Sequence, residues 1–175
     1  WKPALPVVLI DLSKGFLAPS IALWMNNASI AKGGPDLFWL PLVAGMLAIV
    51  GHSFTCFAGF RGGKGVLTAF GVFLALAPLT AIICFLIWVL LVALTKYVSV
   101  GSIGACLALA SLSGTSFLLG FPDKNIHGGI FLLAFVVAAF VIIKHRTNIV
   151  RLMNGTENGF GSKNKSKMKS SEEKI

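Results

Sequence analysis

The stretch from Val66 to Thr95 reads VLTAFGVFLALAPLTAIICFLIWVLLVALT and contains no acidic or basic residue. At 30 residues, it is longer than the ~20 residues that one membrane-spanning helix needs. Pro78, near its middle, either kinks a single long helix or occupies the turn between two short ones. The number and direction of the membrane segments therefore depend on how this stretch is divided.

The charges on either side of the stretch favour a hairpin at Ala77–Pro78. With this division, one side of the membrane receives Arg61, Lys64, Lys96 and the chain from Lys144 onward. The loops on the other side then hold Lys32, Asp36, Asp123 and Lys124. Because the charges in these loops cancel, and because basic residues concentrate on the cytoplasmic side, two separate helices are predicted.

The composition as a whole is that of a membrane protein. Of the 175 residues, 56% are hydrophobic and 12% are charged, and the mean hydropathy is +0.86. The charged share is about half that of an ordinary soluble domain. The predicted fold class is all-α, a polytopic transmembrane helical bundle with about six membrane segments. The apolar stretches run from Ala4 to Met25, Leu37 to Phe57, Val66 to Ala77, Leu79 to Thr95, Val98 to Leu119 and Ile130 to Ile143.

The formal net charge of +9 does not indicate nucleic acid, because the basic residues lie at membrane boundaries and in a terminal run. That run, residues 162–175, is predicted to be a disordered cytoplasmic tail attracted to anionic lipid headgroups. Residues 1–161 are predicted to form the membrane domain, with a motif-bearing segment at 144–161. Cys56, Cys84 and Cys106 lie in apolar sequence without metal-ligand spacing, which predicts buried thiols. Neither a metal nor a cofactor is predicted.

The strongest functional signal directly precedes Val66 and reads Phe60-Arg61-Gly62-Gly63-Lys64-Gly65. Three glycines let backbone N–H groups turn toward an anion, and Arg61 and Lys64 add positive charge. Basic residues beside an apolar segment are often topology anchors only, but an anchor needs no such glycines. The loop is not a Walker A sequence, because Gly65 follows the lysine where that motif has Ser or Thr. A phosphate-bearing small molecule is therefore predicted as the ligand.

Other polar residues are predicted to lie on the same side of the membrane. Asp11 and Lys14 occupy adjacent faces of one helical turn, which a structural ion pair and ligand binding explain about equally well. His52 ends the helix before the glycine loop and is explained equally well as a structural histidine or as part of the site. Thr68 lies in the first turn of the next helix, whose N-terminal N–H groups would face the same anion.

The third polar cluster reads Lys144-His145-Arg146-Thr147-Asn148-Ile149-Val150-Arg151 and is followed by Gly155-Thr156-Glu157. On a helix, the three-residue spacing places His145, Asn148 and Arg151 on one face. This stripe of proton acceptor, amide and guanidinium suits a hydroxylated phosphate ester. A basic membrane anchor would explain the flanking cations, but not Asn148 and Glu157.

Together the motifs resemble the bacterial acyl-phosphate:glycerol-3-phosphate acyltransferase family, the membrane enzymes called PlsY. The resemblance extends to about Gly161 and rests on several ordered motifs. They are Asp11 to Gly15, Gly51-His52 with Phe60 to Thr68, Lys96 to Ser102, and His145 to Leu152 with Gly155 and Glu157. Two departures stand out. Thr55 occupies a position where the family has Pro, and the family's first motif, a Ser-Gly-Asn…Gly-Ala-Thr-Asn loop, would precede Trp1. An N-terminally incomplete chain is therefore expected.

The resemblance implies transfer of a fatty acyl group from acyl phosphate to the 1-hydroxyl of glycerol 3-phosphate, which forms lysophosphatidic acid. It also implies seven membrane segments in the full-length family, the bacterial cytoplasmic (inner) membrane, and an active site facing the cytoplasm. Membrane lipids are the other expected partners, and nucleic acid is not one. His145 either accepts the hydroxyl proton or only orients the substrate, in which case the leaving phosphate accepts the proton. The expected catalytic residues are His145 and Asn148. The expected substrate-binding residues are Lys14, His52, Arg61, Gly62, Gly63, Lys64, Gly65, Thr68, Ser102, Arg151 and Glu157.

Two other classes of function compete with this interpretation. A small transporter or channel for a phosphate-bearing solute would use the same cationic loop. It predicts polar groups at mid-bilayer on several helices, but the stretches 79–95 and 130–143 contain no ionisable residue. Acyltransferases that use acyl-CoA carry His-x-x-x-x-Asp, whereas the residues five after His52 and His145 are Phe57 and Val150.

Overall fold

The computed structural model describes residues 4–55, 59, 62–119 and 124–159, and this part of the chain is helical with no strand. The helices are α1 (Ala4–Ala31), α2 (Leu40–Ser53), α3 (Val66–Leu76), α4 (Pro78–Thr95), α5 (Val98–Leu118), α6 (Lys124–Lys144) and α7 (Arg146–Met153). The all-α class predicted from the sequence is confirmed. The predicted tail after residue 161 lies outside the described residues, as do Cys56 and Arg61.

The predicted hairpin at Pro78 is present. Helix α3 ends at Leu76, Ala77 leaves the helical conformation with φ −146° and ψ 69°, and Pro78 begins α4. The rings of Phe70 and Phe85 stack with their centroids 5.3 Å apart. In one continuous helix, these residues would lie about 22 Å apart along the axis. Helices α3 and α4 are therefore antiparallel neighbours.

Three helices of the described chain are long and apolar enough to cross a membrane: Leu5–Ala31, Pro78–Thr95 and Val98–Leu118. Residues Gly128–Lys144 and Arg146–Met153 form a fourth apolar pair that is bent by 56°. Helices α2 and α3 are shorter, with 14 and 11 residues, or about 21 and 16 Å against a hydrocarbon thickness of ~30 Å. The chain is an integral membrane protein, and the count of six segments stays a prediction.

Some helix bounds differ from the apolar stretches for a simple reason. Helix α1 continues past Met25 to Ala31, because polar residues can extend a helix beyond its apolar part. The Asn26 side chain then fixes the turn that follows, since its Nδ2 donates to Asp36 (3.0 Å) and its Oδ1 accepts from the Leu37 N–H (2.6 Å). Helix α6 likewise begins at Lys124, six residues before the apolar stretch.

Two features of packing position the site. Helices α1 and α3 cross so closely that a Cβ on Gly15 would overlap the Thr68 carbonyl, and one on Gly71 would overlap the Leu12 carbonyl. The core between α2, α3, α4, α5 and α6 is mainly apolar, although these helices also bury the hydroxyls of Ser53, Thr68 and Ser113. Its most deeply buried apolar members include Ile49, Val72, Phe73, Val137 and Val141. Contacts between residues distant in sequence then bring the polar ends of the helices together, as described next.

Candidate active site

A chain of charge-assisted hydrogen bonds joins the glycine loop to α7. The Lys64 ammonium donates to Oδ1 of Asn148 at 2.6 Å, and Nδ2 of Asn148 donates to Oε1 of Glu157 at 2.6 Å. Both contacts fix the orientation of the Asn148 amide, because its oxygen faces a cation and its nitrogen faces a carboxylate. Lys64 and Asn148 are 84 residues apart in sequence, so this contact exists only in the folded bundle.

Glu157 is the acceptor at which this chain of hydrogen bonds ends. Its Oε1 also accepts from the Ser99 hydroxyl at 2.8 Å, and its Oε2 accepts from Nε of Arg151 at 2.8 Å. Burial raises the pKa of the Glu157 carboxyl, but the hydrogen bonds from Asn148, Ser99 and Arg151 outweigh burial and leave the pKa below its ordinary value. Glu157 is therefore ionised at neutral pH.

Lys64 and Arg151 both keep donors free for a ligand. An ammonium has three N–H groups and Asn148 takes one, while Arg151 uses only its Nε on Glu157. Burial lowers the pKa of Lys64; the negative charge of Glu157 raises it, and the positive charge of Arg151 lowers it again. Lys64 donates to Asn148, Arg151 donates to Glu157, and Asn148 and Glu157 are hydrogen-bonded to each other. These contacts fix the positions of the two cations, whose remaining N–H groups suit an anion with several oxygens.

A second polar cluster lies on the other side of the glycine loop. The Lys14 ammonium contacts Oδ1 of Asp11 at 2.6 Å and Nδ1 of His52 at 2.8 Å. Nδ1 of His52 also lies 3.2 Å from Oδ1 of Asp11. The contact between α1 and α2 shows that the predicted ion pair and the predicted histidine belong to one group. Lys14 lies ten residues into α1, so the group is about 15 Å from the start of that helix.

The glycine loop packs tightly against the end of α2. A Cβ on Gly62 would overlap the carbonyl oxygen of His52, and a Cβ on Gly63 would overlap the His52 ring. Gly65 has φ +78°, in the left-handed region that favours glycine, and directly precedes α3. The glycines are therefore needed for close approach and for the turn into α3, and Lys64 projects from between them toward α7.

His145 lies at the elbow between α6 and α7 and is 2% exposed. Its Nδ1 is 2.8 Å from the Val141 carbonyl, which can only accept a hydrogen bond. Nδ1 therefore carries the proton, and Nε2 of the neutral ring is free to accept one. The predicted stripe is present in part. Asn148 and Arg151 lie in α7 and share Glu157, but His145 precedes the helix instead of continuing its face.

The structure does not bring every predicted residue into this arrangement. The hydroxyl of Ser102 donates to the Val98 carbonyl at 2.9 Å and accepts from Trp88 Nε1 at 3.3 Å, which places it between α4 and α5. Thr68 is fully buried at the crossing of α1 and α3. Arg61 lies outside the described residues. The roles of all three in binding stay predictions.

Ser99 is a residue of the site that was not selected from the sequence. It lies on α5 one helical turn before Ser102, in the same Lys96–Ser102 motif, and spacing alone does not show which serine faces Glu157. The position of Ser99 in α5 favours it over Ser102. Ser99 is closer to the N-terminus of the helix, and the hairpin topology places that end on the same side of the membrane as the basic motifs.

The fold and the site define a polytopic helical membrane protein in which Lys64, Asn148, Glu157 and Arg151 form one hydrogen-bonded group beside a glycine-rich loop. A family model described as glycerol-3-phosphate acyltransferase matches residues 1–155. The chain therefore belongs to the glycerol-3-phosphate acyltransferase family. It is an integral membrane acyltransferase, which decides against the transporter alternative.

Curated relatives and solved structures agree with this assignment. The glycerol-3-phosphate acyltransferase of Chlorobaculum parvum is 41% identical over 90% of this chain and 75% of its own length, and that of Fusobacterium nucleatum is 39% identical over 91% and 73%. Two crystal structures of PlsY, an integral membrane glycerol 3-phosphate acyltransferase, align with TM-scores of 0.73. The glycerol 3-phosphate form is 34% identical and covers 92% of this chain and 72% of that one. For the lysophosphatidic acid form, the values are 35%, 91% and 74%.

Proposed function

We propose that this enzyme transfers a fatty acyl group from acyl phosphate to the 1-hydroxyl of glycerol 3-phosphate at the cytoplasmic face of a bacterial inner membrane. The products are lysophosphatidic acid and inorganic phosphate. The observation that carries the proposal is the hydrogen-bonded chain from Lys64 through Asn148 and Glu157 to Arg151. It holds two cations at one site, as binding of a phosphate ester requires.

Lys64 and Arg151 hold the phosphate of glycerol 3-phosphate through their free N–H groups. Glu157 positions them and does not touch the substrate, because both of its oxygens are occupied and its side chain is 6% exposed. The backbone amides of the loop, the N-terminus of α3, and Lys14 on the far side of the loop are available for the second phosphate, that of the acyl donor. Two polar clusters on either side of one glycine loop thus match two phosphate-bearing substrates.

The chemistry requires little activation of the nucleophile. The glycerol 1-oxygen attacks the acyl carbonyl carbon, the bond from that carbon to the phosphate oxygen breaks, and the phosphate leaves with the electron pair. Nε2 of His145 receives the hydroxyl proton, since Nδ1 already donates to Val141. Because acyl phosphate is a mixed anhydride with a good leaving group, alignment and charge neutralisation account for most of the rate.

The test follows labelled glycerol 3-phosphate into lysophosphatidic acid, with palmitoyl phosphate or palmitoyl-CoA as donor. We expect turnover with palmitoyl phosphate and none with the thioester. His145→Ala and Asn148→Ala should each lower kcat by about 100-fold to 10,000-fold, the range of a general base and its partners. Asn154→Ala, an exposed asparagine at the end of α7, is the matched control and should keep full activity. Full activity of both site variants would contradict the proposed site, and transfer from palmitoyl-CoA would contradict the proposed donor.

A further inference from the structure

A separate cavity of about 330 Å³ lies at the elbow between α6 and α7, beside the end of α2. It is lined by Phe54, Phe140, Ile143, Lys144, Arg146 and Thr147. Its two cations, Lys144 and Arg146, flank His145 in the chain, but neither takes part in the mechanism above. The cavity therefore belongs to neither of the two polar clusters that hold the substrate phosphates in the proposed function.

The position of the Lys144 ammonium distinguishes this cavity from a simple gap. The nitrogen lies 4.3 Å from the centre of the Phe54 ring and 5.6 Å from that of Phe140, and it donates a long hydrogen bond of 3.4 Å to the Ser53 carbonyl. A lysine that acts only as a membrane anchor extends its charge away from apolar surface toward water. Here the two aromatic faces attract the ammonium and hold a positive charge at the wall of the cavity.

No carboxylate of the described chain neutralises Lys144 or Arg146. The carboxylates that the structure describes have other partners, and these pairs are Asp11 with Lys14, Asp36 with Asn26, and Glu157 with Arg151. The cavity thus combines two unpaired cations with apolar walls. The occupant that complements it is an anion with apolar parts.

The outer wall of the cavity is the kind of surface that meets lipid. Ile143 is 61% exposed and Phe54 is 46% exposed, and both lie where the apolar helix α6 ends in a lysine. A lysine at the end of an apolar helix marks the level of the lipid headgroups. A volume of about 330 Å³ is at the lower end of the ~300 to 1,000 Å³ of ligand pockets. It suits a single headgroup, with any long chain left outside in the bilayer.

Helix α7 continues this surface away from the cavity. At 100° per residue, Arg146, Val150 and Met153 fall within about 60° of one another, on the opposite face from Asn148 and Arg151. Val150 and Met153 are both well exposed, Met153 to 82%. A basic residue followed by exposed apolar side chains on one helical face is typical of a helix that lies in the membrane interface. One face of α7 therefore meets lipid while the other carries residues of the site.

We infer that the elbow cavity is a binding site for an anionic phospholipid, in which Lys144 and Arg146 hold the phosphate of the headgroup. The acyl chains extend past Phe54 and Ile143 into the bilayer, and the lipid-facing side of α7 rests among the neighbouring lipids. A zwitterionic headgroup fits less well, because its own cation would be repelled by the same two side chains. The inference goes beyond the proposed function, since the lipid is bound and not consumed.

The test measures lipid binding to the purified enzyme in a neutral detergent by native mass spectrometry. The probes are phosphatidylglycerol and phosphatidylcholine with the same acyl chains. Lys144→Gln removes a charge from the cavity, and Thr147→Phe fills the cavity without changing any charge. Lys96→Asn is the matched control, because it removes an exposed cation and asparagine tolerates the left-handed φ of +65° found there.

We expect the wild type to bind its first phosphatidylglycerol about tenfold more tightly than phosphatidylcholine. Each cavity variant should weaken binding of phosphatidylglycerol about tenfold and leave that of phosphatidylcholine unchanged within about twofold. Lys96→Asn should bind both lipids as the wild type does. Because the measurement needs no turnover, it stands even if the enzyme fails to use acyl phosphate, a result that would contradict only the proposed function.

Several outcomes would overturn the phospholipid site. Equal affinity of the wild type for the two lipids would show that the charges select nothing, and an equal loss in Lys96→Asn would indicate general surface charge. Unchanged affinity for phosphatidylglycerol in both cavity variants would place the bound lipid elsewhere. Displacement of phosphatidylglycerol by an equal concentration of inorganic phosphate would show that the cavity binds a free phosphate. Retention of palmitoyl phosphate in preference to phosphatidylglycerol would assign the cavity to a substrate.

Discussion

At the scale of single residues, the site depends on the Asn148 amide and the charges at its two ends. Lys64 contacts the oxygen and Glu157 contacts the nitrogen, each at 2.6 Å. A carboxylate at position 148 would repel Glu157, and an alanine would leave both charges without this partner. The amide thus lets a cation and an anion share one site without a direct ion pair, and the ammonium keeps N–H groups for the substrate.

The lowered pKa of Lys64 leads to a prediction about pH. Burial disfavours the ammonium, so Lys64 loses its proton below the ordinary value of 10.5. Binding of glycerol 3-phosphate is therefore full at neutral pH and should weaken as pH rises toward this lowered pKa. The substrate does not cause this change, because its phosphate is already dianionic above about pH 6. The measurement is the Kd of glycerol 3-phosphate from about pH 7 to about pH 10.5.

Lys64→Arg provides the control for the pH prediction. A guanidinium stays charged across this range, so the alkaline weakening should disappear even if the overall affinity is lower. An identical alkaline weakening in wild type and Lys64→Arg would show that another group titrates.

At the scale of helices and loops, glycines decide how closely the elements approach. The loop lies on the end of α2 because Gly62 and Gly63 have no side chains to meet His52. Helix α1 crosses α3 closely because Gly15 faces the backbone of α3 and Gly71 faces the backbone of α1. If either contact opened by the width of a methyl group, Lys64 would move away from α7. Distances of this kind affect rate steeply, since reacting groups must be held within a fraction of an ångström.

Gly62→Ala tests this dependence, with Gly51→Ala as its matched control. A methyl group on Gly62 would overlap the His52 carbonyl, a backbone atom that cannot rotate aside, whereas a methyl group on Gly51 meets nothing within 4 Å. We expect Gly62→Ala to lower kcat/KM by at least about tenfold, and Gly51→Ala to leave it unchanged or to raise the thermal stability slightly, since alanine favours a helix. Equal activity of the two variants would show that the loop does not need this close contact.

The sequence predicted most helices, but it did not predict the elbow at His145. Charge placement alone located the break at Pro78, because only a hairpin keeps Lys64 and Lys96 on one side. The stripe from His145 to Arg151 was predicted as one helix, since the three-residue spacing continues through Arg146. Nothing in the local sequence marks the end of α6, such as a proline or glycine, and the bend depends on packing and on the buried His145. The contact of Ser99 with Glu157 spans 58 residues and depends on the bundle.

At the scale of the whole molecule, the arrangement of helix ends explains how one face becomes the site. Contacts of Lys14 with His52, Lys144 with Ser53, and Ser99 with Glu157 bring together the ends of α2, α5 and α6, the segment after α7, and the first half of α1. The opposite end carries the Asn26–Asp36 contact and the Phe117–Phe131 stack. Successive helices run in opposite directions, so the chain reaches the site end of the bundle again after every second helix. The motif-bearing segments that follow α2, α4 and α6 therefore lie at the same end.

This alternation predicts the membrane topology. Five helices, α2 to α6, separate Lys32 from Thr156, and an odd number of crossings places these two exposed residues on opposite sides. Single cysteines at the two positions are labelled with an impermeant thiol reagent in a Cys56→Ala background, since Cys84 and Cys106 are buried. Thr156→Cys should react only in inside-out vesicles and Lys32→Cys only in intact spheroplasts, because the basic residues cluster at the site end. Labelling of both positions from one side would mean an even number of crossings. One of the two short helices, α2 or α3, would then fail to span the membrane, and the predicted count of segments would be wrong.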